Sequence, residues 1–140
     1  MRTNIVVDSA RIPERMRALG GVLKPDLSAA VFRTGALYRT RVRAKASGRP
    51  GPRAQTGDYR RSIAQTNTHE SDGTPVALVH TNKPQALRLE YGFIGPDVLG
   101  RVYNYQGHPH WAPAAEGMED VLQREALRAL DFAMQKVWRS

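Results

Sequence analysis

The chain contains no cysteine, which excludes disulfide bridges, thiolate nucleophiles and the cysteine-ligated zinc sites that hold many small domains together. Packing and hydrogen bonding must do that work, and a chain without thiols suits a reducing compartment. Long hydrophobic runs are also missing. Ile5-Val6-Val7 is cut off by Asp8, too short an apolar stretch for a secretory signal. Nothing approaches the roughly 18 consecutive apolar residues of a membrane helix. The expectation is a soluble protein made in the cytoplasm, with no membrane partner. Acidic residues are scarce as well, 13 Asp and Glu against 21 Lys and Arg, for a net charge of +8.

That imbalance is local. From Arg39 to Arg61 stand Arg39, Arg41, Arg43, Lys45, Arg49, Arg53, Arg60 and Arg61 against Asp58 alone, a net of +7. The remaining 117 residues carry 13 basic and 12 acidic side chains, so a nearly neutral domain carries one basic arm. A length of 140 residues, 41% hydrophobic and 24% charged, predicts one globular domain. A chain of this mass buries roughly two-thirds of its unfolded surface on folding.

The order of elements follows from punctuation and periodicity. Ile5 to Val7 are β-branched and predict a short strand or ordered arm. Pro13 to Leu19 reads as a short helix ended by Gly20-Gly21. A longer helix follows with Pro25 in its first turn; Leu27, Val31, Tyr38 and Val42 share one face, and the helix runs to about Ala46. Ser47-Gly48-Arg49-Pro50-Gly51-Pro52 cannot continue it, because the prolines remove donors and the glycines favour turns. Arg60 to Asn67 and Pro75 to Thr81 read as a β-hairpin around Asp72-Gly73. Pro84 to Tyr91 predicts a helical turn or two closed by Gly92, and Val102 to Tyr105 a third strand with Tyr103 and Tyr105 on one face. From Gly117 onward Val121, Leu122, Ala126, Ala129, Ala133 and Val137 define an amphipathic helix that should pack across the sheet. The expected fold is α+β over residues 1–140, a single domain. It has a small antiparallel sheet packed by a long helix in the N-terminal half and by the C-terminal helix. Residues 1–22 form an N-terminal arm and short helix, and residues 47–58 an extended Pro/Gly-rich basic loop.

Few residues suggest chemistry. Arg39, Arg41, Arg43 and Lys45 sit at alternate positions, and steps of two turn about 200° around a helix, so they spray charge around its end. A solvated helix end that complements the helix dipole, an acidic protein neighbour and exposure to DNA all remain open. No helix-turn-helix, zinc-finger or aromatic RNA-binding signature accompanies them. His108-Pro109-His110 could offer a metal two imidazoles, with His69 or His80 as a third ligand, but its spacing fits better a turn that introduces Trp111. Ser62 lies in no nucleophile elbow, and Glu90, Asp97 and the histidines fall in no triad spacing. The sequence therefore predicts neither an enzyme nor a cofactor. Gly57 suits a turn requiring positive φ, and the Thr56 hydroxyl can accept from a nearby amide. Glu90-Tyr91-Gly92 reads as a helix end or a partner contact. Trp111, Trp138, Phe93, Tyr103 and Tyr105 divide between core and interface.

Taken in order, these pieces resemble the tail-completion, or neck, proteins of long-tailed bacteriophages. In that family a long helix is followed by a Pro-x-x-Thr-Gly-x-Leu-Arg-x-Ser-Ile-like segment, a hairpin, a Glu-aromatic-Gly motif, an aromatic-proline segment and a C-terminal helix. Thr56-Gly57, Arg60 and Ser62-Ile63 carry the second piece here, Glu90-Tyr91-Gly92 the fourth, and Trp111, Pro113 and Ala114 the fifth. The resemblance spans roughly residues 23 to 137. Gln55 stands where an acid is common, Tyr59 at the usual leucine and Phe93 where a threonine is common.

The resemblance implies a non-enzymatic virion protein at the head-tail junction. Copies would form a ring, six- or twelvefold, that joins the head connector to tail-tube or tail-terminator proteins. Ring contacts are heterologous. The expected interface residues are Arg49, Pro50, Gly51, Pro52, Arg53, Thr56, Gly57, Glu90, Tyr91, Gly92, Phe93 and Trp111. Arg39, Arg41, Arg43 and Lys45 would face passing genomic DNA without reading its sequence. Two alternatives remain: a free basic nucleic-acid-binding protein, and a metal-dependent hydrolase built on His108 and His110.

Overall fold

The computed structural model describes residues 12–53 and 56–139. The strand or arm expected at Ile5–Val7 and the Ala54-Gln55 step of the basic loop lie outside the described residues. Helix α1 spans Ile12–Lys45, 34 residues, or about 50 Å at 1.5 Å per residue. The sequence predicts two helices here, broken at Gly20-Gly21, whereas the structure has one that passes through both glycines and holds Pro25 in its interior. Pro25 removes one N–H from the helix ladder and its ring presses on the carbonyl four residues earlier, that of Gly21, yet the helix runs on through both.

Helix α5 (Met118–Arg139) lies antiparallel along α1. Polar links mark the pairing along its length: Arg41 Nη1 to Met118 Sδ at 3.2 Å, Arg33 to Glu125 at 3.3 Å and Lys136 to Asp26 at 3.8 Å. The residues α5 buries are small, Ala129, Ala133 and Val137 at four-residue spacing, and α1 buries Ala30 and Thr34. The two ends of the described chain are thereby built into one helical pair, and the hairpin rests on α1.

The expected hairpin is β1 (Ala64–His69) with β2 (Pro75–His80), antiparallel from Ala64↔His80 to His69↔Pro75. Its turn is held where expected, with Thr74 N donating to Asp72 Oδ1 at 2.9 Å. The first strand starts four residues later than the sequence predicts, because Asp58–Ser62 forms a helical turn, α2. Gly57 takes φ 79° at its N-cap, and Asp58 places negative charge in its first turn, where the amide dipoles favour it. Helix α3 (Ala86–Tyr91) leads into β3 (Gly92–Pro96), which pairs with β4 (Val102–Gln106) from Gly92↔Gln106 to Pro96↔Val102. The third predicted strand thus belongs to a second two-stranded sheet, because Phe93–Pro96, which carries no strand signal in the sequence, supplies it with a closer partner. A short helix α4 (Trp111–Ala115) precedes α5.

The core is small. Val42 of α1, Ala46 just beyond its end, Ile63 between α2 and β1, and Ala114 of α4 are buried together, enclosed by Tyr38, Tyr59, Val79 and Trp111. Among the described residues no helix is long and apolar enough to cross a membrane.

Candidate functional site

Beside that core lies a buried polar network whose centre is Glu90, in the last turn of α3 and only 5% exposed. Its carboxylate accepts three consecutive main-chain N–H groups at the start of α4: His110 at 2.7 Å, Trp111 at 3.0 Å and Ala112 at 3.0 Å. The His110 ring is fully buried. Its Nδ1 lies 2.9 Å from both the His108 carbonyl and Glu90 Oε2. Two acceptors on that side place the proton on Nδ1, so Nε2 accepts from the Tyr59 hydroxyl at 2.6 Å. The same hydroxyl accepts from Trp111 Nε1 at 2.9 Å, and the Tyr38 hydroxyl donates to the Trp111 carbonyl at 3.4 Å.

Burial works against a charged Glu90, but the N–H groups of Trp111, Ala112 and His110, with the His110 ring, outweigh it and hold the carboxyl below its usual range. Burial also pushes the Tyr59 phenol up; the Trp111 hydrogen bond opposes this and the Glu90 charge adds to it. Tyr38 is raised by burial and then by Glu90. Tyr59, His110 and Glu90 repeat the hydroxyl–imidazole–carboxylate order of a nucleophilic relay. Here, however, the imidazole is fully buried, and the hydroxyl already donates to His110 and accepts from Trp111. What the network does is seat α4 against α3 and α2.

The sequence-predicted residues divide accordingly. Glu90 and Trp111 belong to this network. Gly92 has φ 86°, and a Cβ there would come within 2.6 Å of the Tyr105 carbonyl, so its place in the motif follows from the close β3–β4 approach. Tyr91 is 80% exposed, and Phe93 lies half-buried under the Arg88 guanidinium, 4.2 Å from its ring centre. The basic loop doubles back on the end of α1: Gly51 and Pro52 are buried, and a Cβ on Gly51 would overlap the Lys45 carbonyl. Arg49 donates to the Gly51 carbonyl at 3.0 Å; Pro50 and Arg53 are exposed. Thr56 Oγ1 accepts from Asp58 N at 3.3 Å, as the sequence suggests. Arg49, Pro52, Arg53, Thr56 and Gly57 line one side of a cleft of about 550 Å³.

The four alternate cations separate as helical geometry predicts. Arg41 donates to the Glu116 carbonyl at 3.4 Å. Arg43 reaches the Ile63 carbonyl at 2.6 and 2.9 Å and the Arg61 carbonyl at 3.4 Å, tying α1 to the α2–β1 junction. Arg39 is half-buried and Lys45 exposed. The histidines do not converge: His108 packs edge-on to Tyr105, His69 bonds Ser28 and His80 bonds Thr66. Among the described residues no group of three His, Asp or Glu is placed to hold a metal.

Sequence reasoning missed one surface. In and between β3 and β4, Val98 is fully exposed, Ile94 and Val102 are each 79% exposed and Leu99 73%. The signal was available: apolar residues interleaved with Gly95, Pro96 and Gly100 cannot all be buried by a turn.

Fold and network together define a small α+β scaffold in which buried polar groups fix elements in place and large apolar side chains are presented outward. The model of a family described as "HK97-gp10_like: Bacteriophage HK97-gp10, putative tail-component" matches residues 10–92, more than half of the chain. The chain belongs to the HK97-gp10-like family of bacteriophage tail components. The matched span runs from the start of α1 through the Glu90-Tyr91-Gly92 motif. No curated protein and no solved structure gave a significant match.

Proposed function

We propose that this tail-component protein acts at the phage head-tail junction, as a neck or tail-completion protein whose copies form a ring between the head connector and the tail tube. The β3–β4 hairpin is the observation that carries this reading. A lone two-stranded hairpin is marginal in water, yet every residue of β4 is exposed and Ile94, Val98, Leu99 and Val102 present apolar surface to solvent. Clustered apolar exposure of this kind marks a protein interface. A ring needs two different patches that meet. The second is supplied by α5, where exposed Leu127, Met134 and Trp138 repeat at seven- and four-residue spacing along one stripe.

Native mass spectrometry over a range of protein concentrations tests the reading. The wild-type chain is expected to assemble into a closed ring as concentration rises. Val98→Asp with Leu99→Asp is expected to hold it monomeric while changing monomer stability by no more than about 0.5 kcal/mol, as is usual for exposed positions. A wild-type monomer at every concentration, unaffected by the double substitution, would count against self-assembly through the hairpin.

A further inference from the structure

The cleft between the basic loop and the α3–β4 side of the molecule holds about 550 Å³, a size typical of sites that enclose a ligand. Arg49, Arg53, Arg60 and Lys83 contribute to its lining together with Tyr59 and Tyr105. Asp58 also lines it, but its carboxylate is engaged by Arg61. Among the described residues none of the four cations forms an ion pair, whereas Asp26, Asp97 and Glu125 are each matched to a Lys or Arg elsewhere. Four like charges around one concavity repel one another, and an incoming anion removes that cost. We infer that this cleft is a docking site for an acidic peptide segment of another protein.

Shape and rigidity favour a peptide over a duplex. The cations share the lining of the recess with Tyr59, Leu89 and Tyr105, so carboxylate-bearing side chains can enter and lay their methylene groups on aromatic surface. Duplex DNA is too wide to enter a recess of about 550 Å³ and would touch only its rim. One wall is preorganised, because Tyr59 is fixed by Trp111 and His110 and the loop is pinned by buried Gly51 and Pro52. Arg60 and Arg49 each spend one donor internally, on Ser47 and on the Gly51 carbonyl, which orients guanidinium groups that retain further N–H donors. The complementary acid is expected from a different protein, since Asp26, Asp58, Asp97 and Glu125 of this chain are already paired with its own cations and Glu90 is buried. Occupancy of the cleft is independent of ring formation.

Fluorescence anisotropy with a labelled, short Asp/Glu-rich peptide tests it, with a random-sequence DNA duplex run in parallel. The full chain is expected to bind the peptide in a salt-sensitive manner. Arg53→Gln with Lys83→Gln removes two charges that, among the described residues, make no side-chain hydrogen bond, and should weaken binding about tenfold. Arg17→Gln with Arg124→Gln lowers net charge equally on exposed helix surface and should leave affinity nearly unchanged. Circular dichroism establishes that both variants fold. Absence of peptide binding, equal weakening in both variants, or tighter cleft-dependent binding of the duplex would each overturn the inference.

Discussion

Glu90 is a carboxylate with little water to hydrate it and three N–H groups in water's place. Hydrogen bonds to a charged group are worth roughly 1.5–3 kcal/mol, and leaving a buried donor unsatisfied costs about 1–3 kcal/mol. Glu90→Gln keeps the shape but turns an amide NH2 toward those donors, so it should lower stability by about 3 kcal/mol, read as a fall in the urea midpoint. The pH dependence has a definite sign. Because the folded-state carboxyl is held below its usual range, its contribution is fully present above the unfolded pKa, near 4.3. It is lost as pH falls through the lower folded value. Acid titration of stability should therefore show a drop in the wild type that Glu90→Gln lacks; equal acid slopes in the two proteins would mean that the bonds to α4 contribute little.

At the scale of elements, local signals hold wherever neighbours do not override them. Asp72-Gly73 announces its turn, Thr56-Gly57 its positive φ, and β2 keeps its predicted bounds to within one residue, although β1 starts four residues late. Gly20, Gly21 and Pro25 mislead for a tertiary reason. Their propensities favour a break, but the helix runs through all three, α5 is linked to it from Asp26 onward, and propensity is a weak prior that context routinely overrides. Continuity through the two glycines has a measurable consequence. A Cβ on either glycine would meet nothing within 4 Å, so Gly20→Ala with Gly21→Ala should stabilise the fold by about 1 kcal/mol per site, seen as a higher Tm. Destabilisation would mean that the glycines are needed for a bend or a close contact. The second sheet is illegible in the sequence for a different reason: β3 is five residues containing two glycines and a proline, a composition that reads as loop until its partner strand is known.

For the whole molecule, the placing of charge is visible in sequence while its use is not. The run from Arg39 to Arg61 looks like one arm, yet Arg41 and Arg43 are internal donors to carbonyls, and Arg49, Arg53 and Arg60 gather around a cleft whose far wall, Lys83 and Tyr105, comes from distant sequence. Exposure of Ile94, Val98, Leu99 and Val102 likewise emerges only once the fold fails to cover them. If association buries that surface, unfolding is linked to it by mass action, and Tm should rise with protein concentration. A Tm independent of concentration would leave the monomer as the stable unit. The family match ends at Gly92, and α4, beyond it, is fastened to Glu90 chiefly through backbone amides. A backbone amide is nearly the same on every residue except proline. The joint therefore behaves like a socket of standard gauge: side chains downstream can be exchanged, and with them the surface offered to a neighbour, while the segment keeps its seat.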